Sequence, residues 1–249
     1  AEDGIRDVAV TGVQTCALPI SGVAQADRTC VPGPYANCAG ADLDGIDLRG
    51  RDLHGINLKA ASLKAADLTD ADLSGAQMQN ANLSAATLNR TDLTKANLKW
   101  ACFDIASLQR ADLRKANLYE ASFDDANLAH ADFRSTLLSK VTLSGSTLTG
   151  ADFSNATLLN TAFVNVRARG ADLSGAKFAG SGGGAMGFGP RSNAVSDSGT
   201  YIRNSDFTDA DFSGSRTSSR ALIPVVLNDF GRQQSGVTFS YSTFTGADF

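Results

Sequence analysis

Seven aspartates recur once every twenty residues: Asp52, Asp72, Asp92, Asp112, Asp132, Asp152 and Asp172. Carboxylates in such a column could hold a divalent cation or imitate the phosphate track of DNA. Left bare, they would repel one another. On the same side lie Lys95, Arg114, Lys115 and Arg134, and residues 41–180 carry 16 acids against 15 bases. Local pairing and hydrogen bonds from backbone amides are therefore expected to neutralise the column and make it a structural ladder. His54 and His130 are 76 residues apart in different phases and are expected to be solvated surface histidines. Cys102 takes an outward position, with no histidine in its phase. No Cys/His cluster has zinc spacing, and the glycines of 182–189 are followed by no Gly-Lys-Ser/Thr, so they form no phosphate loop. No catalytic, cofactor-binding or metal-ligating set emerges, and the expectation is a protein that is not an enzyme. Trp100 and Tyr119 point outward in consecutive twenties and form a candidate contact patch.

The elements that position these residues have an unusual period. Residues 111–130 read ADLRK ANLYE ASFDD ANLAH, with Leu or Phe at every fifth place. Neither a helix nor a strand has that period. From Ala41 to Gly180 the chain divides into 28 such pentapeptides without a gap. The Leu/Phe position, the centre of each unit, is Leu, Phe or Met in 27 of them, and Ala stands two places earlier in 19. Residues two apart on extended backbone share a face, so the centre and its Ala point inward while the other three residues face out and turn a corner. ANCAG (36–40) fits the same frame with Cys38 as its centre. Arg51 breaks the inward pattern and is expected to reach outward or pair with an acid.

The number of sides follows from the residue before each centre. It is Asp in 10 of 28 units, and sorting by twenty puts seven of these in one phase. Another phase begins Asn37, Asn57, Gln77, Asn97, Asn117. Four units per coil stack like on like, whereas three or five would scatter them. Coils spaced as hydrogen-bonded strands are, ~4.8 Å apart, would make seven of them a rod of roughly 34 Å. Phe103 should then stack on Phe123, and Phe133 on Phe153.

The pattern, in blocks such as ADLSG (71–75 and 171–175), ANLKW (96–100) and ADLRK (111–115), resembles the pentapeptide-repeat family and its A(D/N)LXX motif. The resemblance covers about 60% of the chain. It implies an all-β fold, a right-handed quadrilateral β-helix with four pentapeptides per coil. It also brings in a function class, because some members bind type II topoisomerases as DNA mimics and protect against quinolones.

Outside the repeats the reading is by composition. Residues 1–7 and 10–20 resemble an in-frame translation of a sequencing-library adapter, so 1–20 are expected to be non-native. The stretch 21–35 reads as a signal-peptide remnant, with the cleavage-like Ala24-Gln25-Ala26, and an N-terminal cap. Cys30 and Cys38, around a Pro-Gly turn in an exported chain, read as a local disulfide. The β-helix is expected over 36–249, interrupted by insertions at 181–204 and 215–236, the second containing the apolar ALIPVVLNDF (221–230), expected to pack on the wall or form an edge strand. Phe249 falls in mid-repeat, and the chain is expected to be a fragment. A net charge of −4 gives no basic bias for nucleic acid, and no apolar run approaches the ~20 residues of a membrane span. The expected function is a non-enzymatic structural or interaction module, secreted or at the cell surface, with a protein partner and no cofactor. The alternative is a cytoplasmic DNA mimic that binds a type II topoisomerase.

Overall fold

The computed structural model describes residues 30–179, 200–203, 207, 209–213, 216–217, 220–221, 233–234, 237–240 and 247–248. The adapter-like segment, the cleavage-like Ala24-Gln25-Ala26 and all of ALIPVVLNDF except Ala221 lie outside them. The chain winds as a right-handed quadrilateral β-helix. Its sides are numbered here by their centres: side one runs from Leu43, side two from Leu48, side three from Leu53 and side four from Cys38.

Three backbone hydrogen bonds per unit join neighbouring coils. The centre N–H donates to the carbonyl of the pre-centre residue one coil on, as Leu93 does to Asp112 at 2.8 Å. The pre-centre N–H donates one coil back, as Asp92 does to Ala71 at 3.0 Å, and a third bond joins the corners, as Gly75 does to Thr94 at 2.8 Å. Each pre-centre residue is thereby in parallel register with the one twenty residues away, from Asn37↔Asn57 to Asp152↔Asp172. A fourth bond closes the corner: the Ala N–H donates to the preceding centre's carbonyl, as Ala96 does to Leu93 at 3.1 Å.

That turn demands positive φ at its third residue. Every fifth residue from Tyr35 to Gly175 has it, glycine or not, including Trp100 (59°), Ile105 (62°) and His130 (60°). Nine of these are glycines. The others accept a conformation that costs an L-residue roughly 1–2 kcal/mol, offset by the inter-coil bonds.

Inside the square, the Leu and Phe centres and the inward Ala residues from Ala41 to Ala210 are buried. Phe103 lies flat on Phe123 at 4.7 Å on side one, and Phe133 on Phe153 at 4.5 Å on the opposite side three. The two stacks meet edge-to-face across the lumen, Phe123 to Phe133 at 6.3 Å. Where Thr replaces the inward Ala, its hydroxyl stays satisfied: Thr91 donates to the Leu68 carbonyl at 2.8 Å and Thr136 to that of Leu113 at 3.0 Å. Arg51 is exposed, reaching outward from its inward-facing register.

On side four, β1 (Leu137–Ser139), β2 (Thr157–Leu159), β4 (Lys177–Ala179) and β6 (Arg216–Thr217) pair in parallel; on side one so do β3 (Ala162–Val164), β5 (Thr200–Arg203) and β9 (Val237–Ser240). The coil therefore reaches into both stretches read as insertions. Phe163 pairs with Ile202 and Phe178 with Thr217, so Thr200–Arg203 and Arg216–Thr217 are sides of the square, with Ile202 and Thr217 in centre register. Ile and Thr are strand formers but lack the Leu/Phe signature, which hid them. Both excursions leave from side four and return to side one, at the same corner in consecutive coils. β7 (Arg220–Ala221) turns back antiparallel on β6, and β8 (Gln233–Gln234) runs antiparallel to β9. Each covers a strand edge that would otherwise stay unpaired.

Ile105 is the corner residue least suited to its backbone, being β-branched and 69% exposed. Ile105→Asn relieves the strain at little loss of burial, so the urea midpoint should rise by an amount equivalent to about 1 kcal/mol. A lower midpoint would mean that Ile105 contributes packing the exposed geometry does not reveal.

Candidate functional site

The aspartate column follows from the corner. In a pentapeptide turn the N–H of the residue after the centre has no backbone partner in the ladder. Each column aspartate accepts it with Oδ1, two residues on, in an Asx turn: Ser74 N–H to Asp72 and Thr94 N–H to Asp92, both at 2.8 Å, and Ser174 N–H to Asp172 at 2.8 Å. Asp52, Asp112, Asp132 and Asp152 do the same for His54, Arg114, Arg134 and Ser154. The column continues past the first insertion through Asp211, which accepts from Ser213 at 2.7 Å, to Asp248.

Charge in the column is met locally. Arg114 forms a forked pair with Asp112 and reaches Asp132 at 3.4 Å. Arg134 pairs with Asp132 at 2.6 Å and reaches Asp152 at 3.5 Å. Burial alone would raise the Asp132 carboxyl, but the Arg134 side chain and N–H hold it below the usual carboxylate range. Arg49 holds Asp47, on side two, down to about 2 in the same way. Lys95 and Lys115, on the same side, make no ion pair with any described residue.

At four corners the acceptor comes from the neighbouring coil instead. Asp44 accepts from Ser62 Oγ and Lys64 N–H, Asn89 from Ser107 Oγ and Gln109 N–H, and Asp104 from Ser122 Oγ and Asp124 N–H. Asp124 accepts from Ser144 N–H at 3.0 Å. In three of these units the pre-centre residue is Ser, and an Asp or Asn eighteen residues earlier accepts from its hydroxyl. Sequence reasoning missed this pairing, although the spacing was there to find. The Asn column is less regular than expected: Asn57 donates to Asn37 at 2.8 Å, but Gln77 donates to the Gly75 carbonyl and Asn117 accepts from Tyr119 N–H.

Trp100 and Tyr119 do come together, edge to face at 6.1 Å. Trp100 Nε1–H donates to Glu120 at 2.8 Å, Lys140 pairs with Glu120 at 3.0 Å, and Lys99 and Lys140 sit over the two rings. Leu137, one coil on along the same side, is 48% exposed and Trp100 39%. The corner carrying Trp100, Glu120 and Lys140 is also the one from which both excursions leave. Two of the other singled-out residues, His54 and Cys102, need correction. His54 is half-buried, with Nδ1 2.6 Å from Asp52 Oδ1 and its ring against Tyr35, so it is no freely solvated histidine. His130 lies over Gly150. Cys102 is only 5% exposed, and its sulfur is 3.1 Å from Ser84 Oγ. Cys30 and Cys38 form a disulfide with Cα atoms 5.3 Å apart.

A family model described as pentapeptide repeats matches eight copies, over residues 36–75, 52–90, 71–104, 106–145 and 146–181. The chain belongs to the pentapeptide-repeat family. No curated protein matches it. Among solved structures it is similar to QnrB1, a plasmid-mediated fluoroquinolone resistance protein, at 17% identity over 72% of this chain and 93% of that one, with a TM-score of 0.36. It is similar to HetL, a pentapeptide-repeat protein involved in heterocyst differentiation regulation in Nostoc sp. strain PCC 7120, at 25% identity over 73% and 78%, TM-score 0.27. A pentapeptide-repeat protein from the Arabidopsis thaliana thylakoid lumen matches at 27% identity over 53% and 68%, TM-score 0.19. Membership rests on the repeat match rather than on these superpositions.

Among the acids of this pentapeptide-repeat wall, Asp124 behaves oppositely to Asp132. Burial pushes its carboxyl up, reinforced by Asp104 and Asp125 and opposed by Thr142 and the Ser144 N–H. A raised folded value favours the protonated form, so this contribution to stability is full below the ordinary carboxylate value and is lost as pH rises through the folded one. For Asp132 the contribution is present above the ordinary value and is lost as pH falls. Asp124→Asn, which keeps the acceptor without the charge, should raise the thermal midpoint at neutral pH, with the gain shrinking toward acid. No gain at neutral pH, or one that grows on acidification, would contradict this assignment.

Proposed function

We propose that the chain is a non-catalytic interaction module on an exported solenoid, binding a protein partner through the wall that carries Trp100 and Tyr119. The observation behind this reading is the coincidence at one corner of exposed Trp100 and Leu137, half-buried Tyr119, a rim of Lys99, Glu120 and Lys140, and the roots of both excursions. Aromatic anchors bordered by charge are the usual composition of protein interfaces, and segments that leave a solenoid on one face often bind. Export is supported by the Cys30–Cys38 disulfide, which suits an oxidising compartment, and by Ala24-Gln25-Ala26.

The second reading, a cytoplasmic DNA mimic of the quinolone-protection type acting on a type II topoisomerase, would use the aspartate column as a phosphate-like track. Arg114 and Arg134 between its rungs weigh against it, since a mimic needs unpaired negative charge. Fractionating cells that express the intact gene should find the product outside the cytoplasm, and the purified chain should leave gyrase supercoiling and its fluoroquinolone inhibition unchanged. A cytoplasmic product that protects gyrase would replace the first reading with the second.

A further inference from the structure

The aspartate column contains three equivalent positions that differ in one respect. His54, Arg114 and Arg134 each follow the centre on side three, and each lies beside its own aspartate. At Arg114 a guanidinium lies between Asp112 and Asp132, and at Arg134 another lies between Asp132 and Asp152. At the first of the three, the stacked carboxylates are Asp52 and Asp72, and the residue beside them is an imidazole. Unlike a guanidinium, an imidazole is no permanent cation. It is a metal ligand, which a guanidinium is not.

The donor atoms are already gathered. One ligand atom each from Asp52, His54 and Asp72 lie within 4.8 Å of one another. The imidazole is also held from outside the cluster. The Tyr35 ring meets it edge-on at 4.6 Å, and Tyr35 N–H donates to the His54 carbonyl at 3.0 Å. Tyr35 fits there because residue 55 is glycine, where a Cβ would stand 2.5 Å from the ring. The Cys30–Cys38 disulfide brackets this segment. Support of this kind from neighbouring groups is what orients a ligating histidine.

We propose that Asp52, His54 and Asp72 bind one divalent transition-metal ion of the zinc class, through one imidazole nitrogen and two carboxylate oxygens, with water completing the coordination. A mixed nitrogen and oxygen set favours zinc, cobalt or nickel over calcium and magnesium, which prefer oxygen alone. In this gap the ion takes the place that a guanidinium holds between the later rungs, joining two coils next to the disulfide-tied end.

Titration of the full chain with Co2+, followed by visible absorption, and with Zn2+, followed by calorimetry, tests the site. One ion per chain should bind, with His54→Ala and Asp72→Asn each weakening binding by at least about tenfold. His130→Ala, at a corner without paired aspartates, should bind as the parent does, and circular dichroism checks that each variant keeps its fold. No saturable binding, or binding that survives His54→Ala, overturns the proposal. So does an imidazole that titrates with protons alone, unaffected by added Zn2+ in NMR.

Discussion

At each corner of the coil the chain must reverse into the next side within two residues, at a positive φ, leaving one backbone N–H turned away from the inter-coil ladder. Such an amide recurs every five residues, and a buried or half-buried donor without a partner is expensive. At many corners an Asp or Asn two residues earlier accepts it, and at four corners an Asp or Asn in the neighbouring coil does so instead. The polar letter of the repeat is therefore as structural as the Leu beside it.

Electrostatics follows from that requirement. Once carboxylates are recruited as corner acceptors, stacking them at strand spacing brings like charges together. Arg114 and Arg134 relieve this along part of the column, and a histidine takes the corresponding place between Asp52 and Asp72. The side-four wall has a different character: Trp100, Tyr119 and Leu137 lie outside, where no corner amide calls for them. A chain whose interior chemistry is so uniform is most individual where the repeat rule is relaxed, on that wall and at the corner where the coil is twice interrupted.

Much of this was legible before any coordinates. The period of five, the buried column of Leu and Phe, the four sides and the stacked phenylalanines are all present in a sequence sorted by twenty. What escaped had physical reasons. Thr200–Arg203 and Arg216–Thr217 pair as coil sides through backbone bonds that do not need the Leu signature. Cys102 has an outward position in the repeat, yet it is only 5% exposed. The eighteen-residue partnership of Asp104 with Ser122 links two positions whose residue types vary from coil to coil. Positive φ at Trp100 and Ile105 could not be read from residues that ordinarily avoid it.

The claim that the column is a set of corner acceptors is tested most directly at Asp92, whose Oδ1 accepts the Thr94 N–H at 2.8 Å. Urea unfolding of Asp92→Asn and Asp92→Ala separates the acceptor from the charge. Asn keeps the oxygen and should hold parent stability, whereas Ala orphans the amide and should lose about 1–3 kcal/mol. Equal losses in both variants would show that charge, not hydrogen bonding, is what the column supplies.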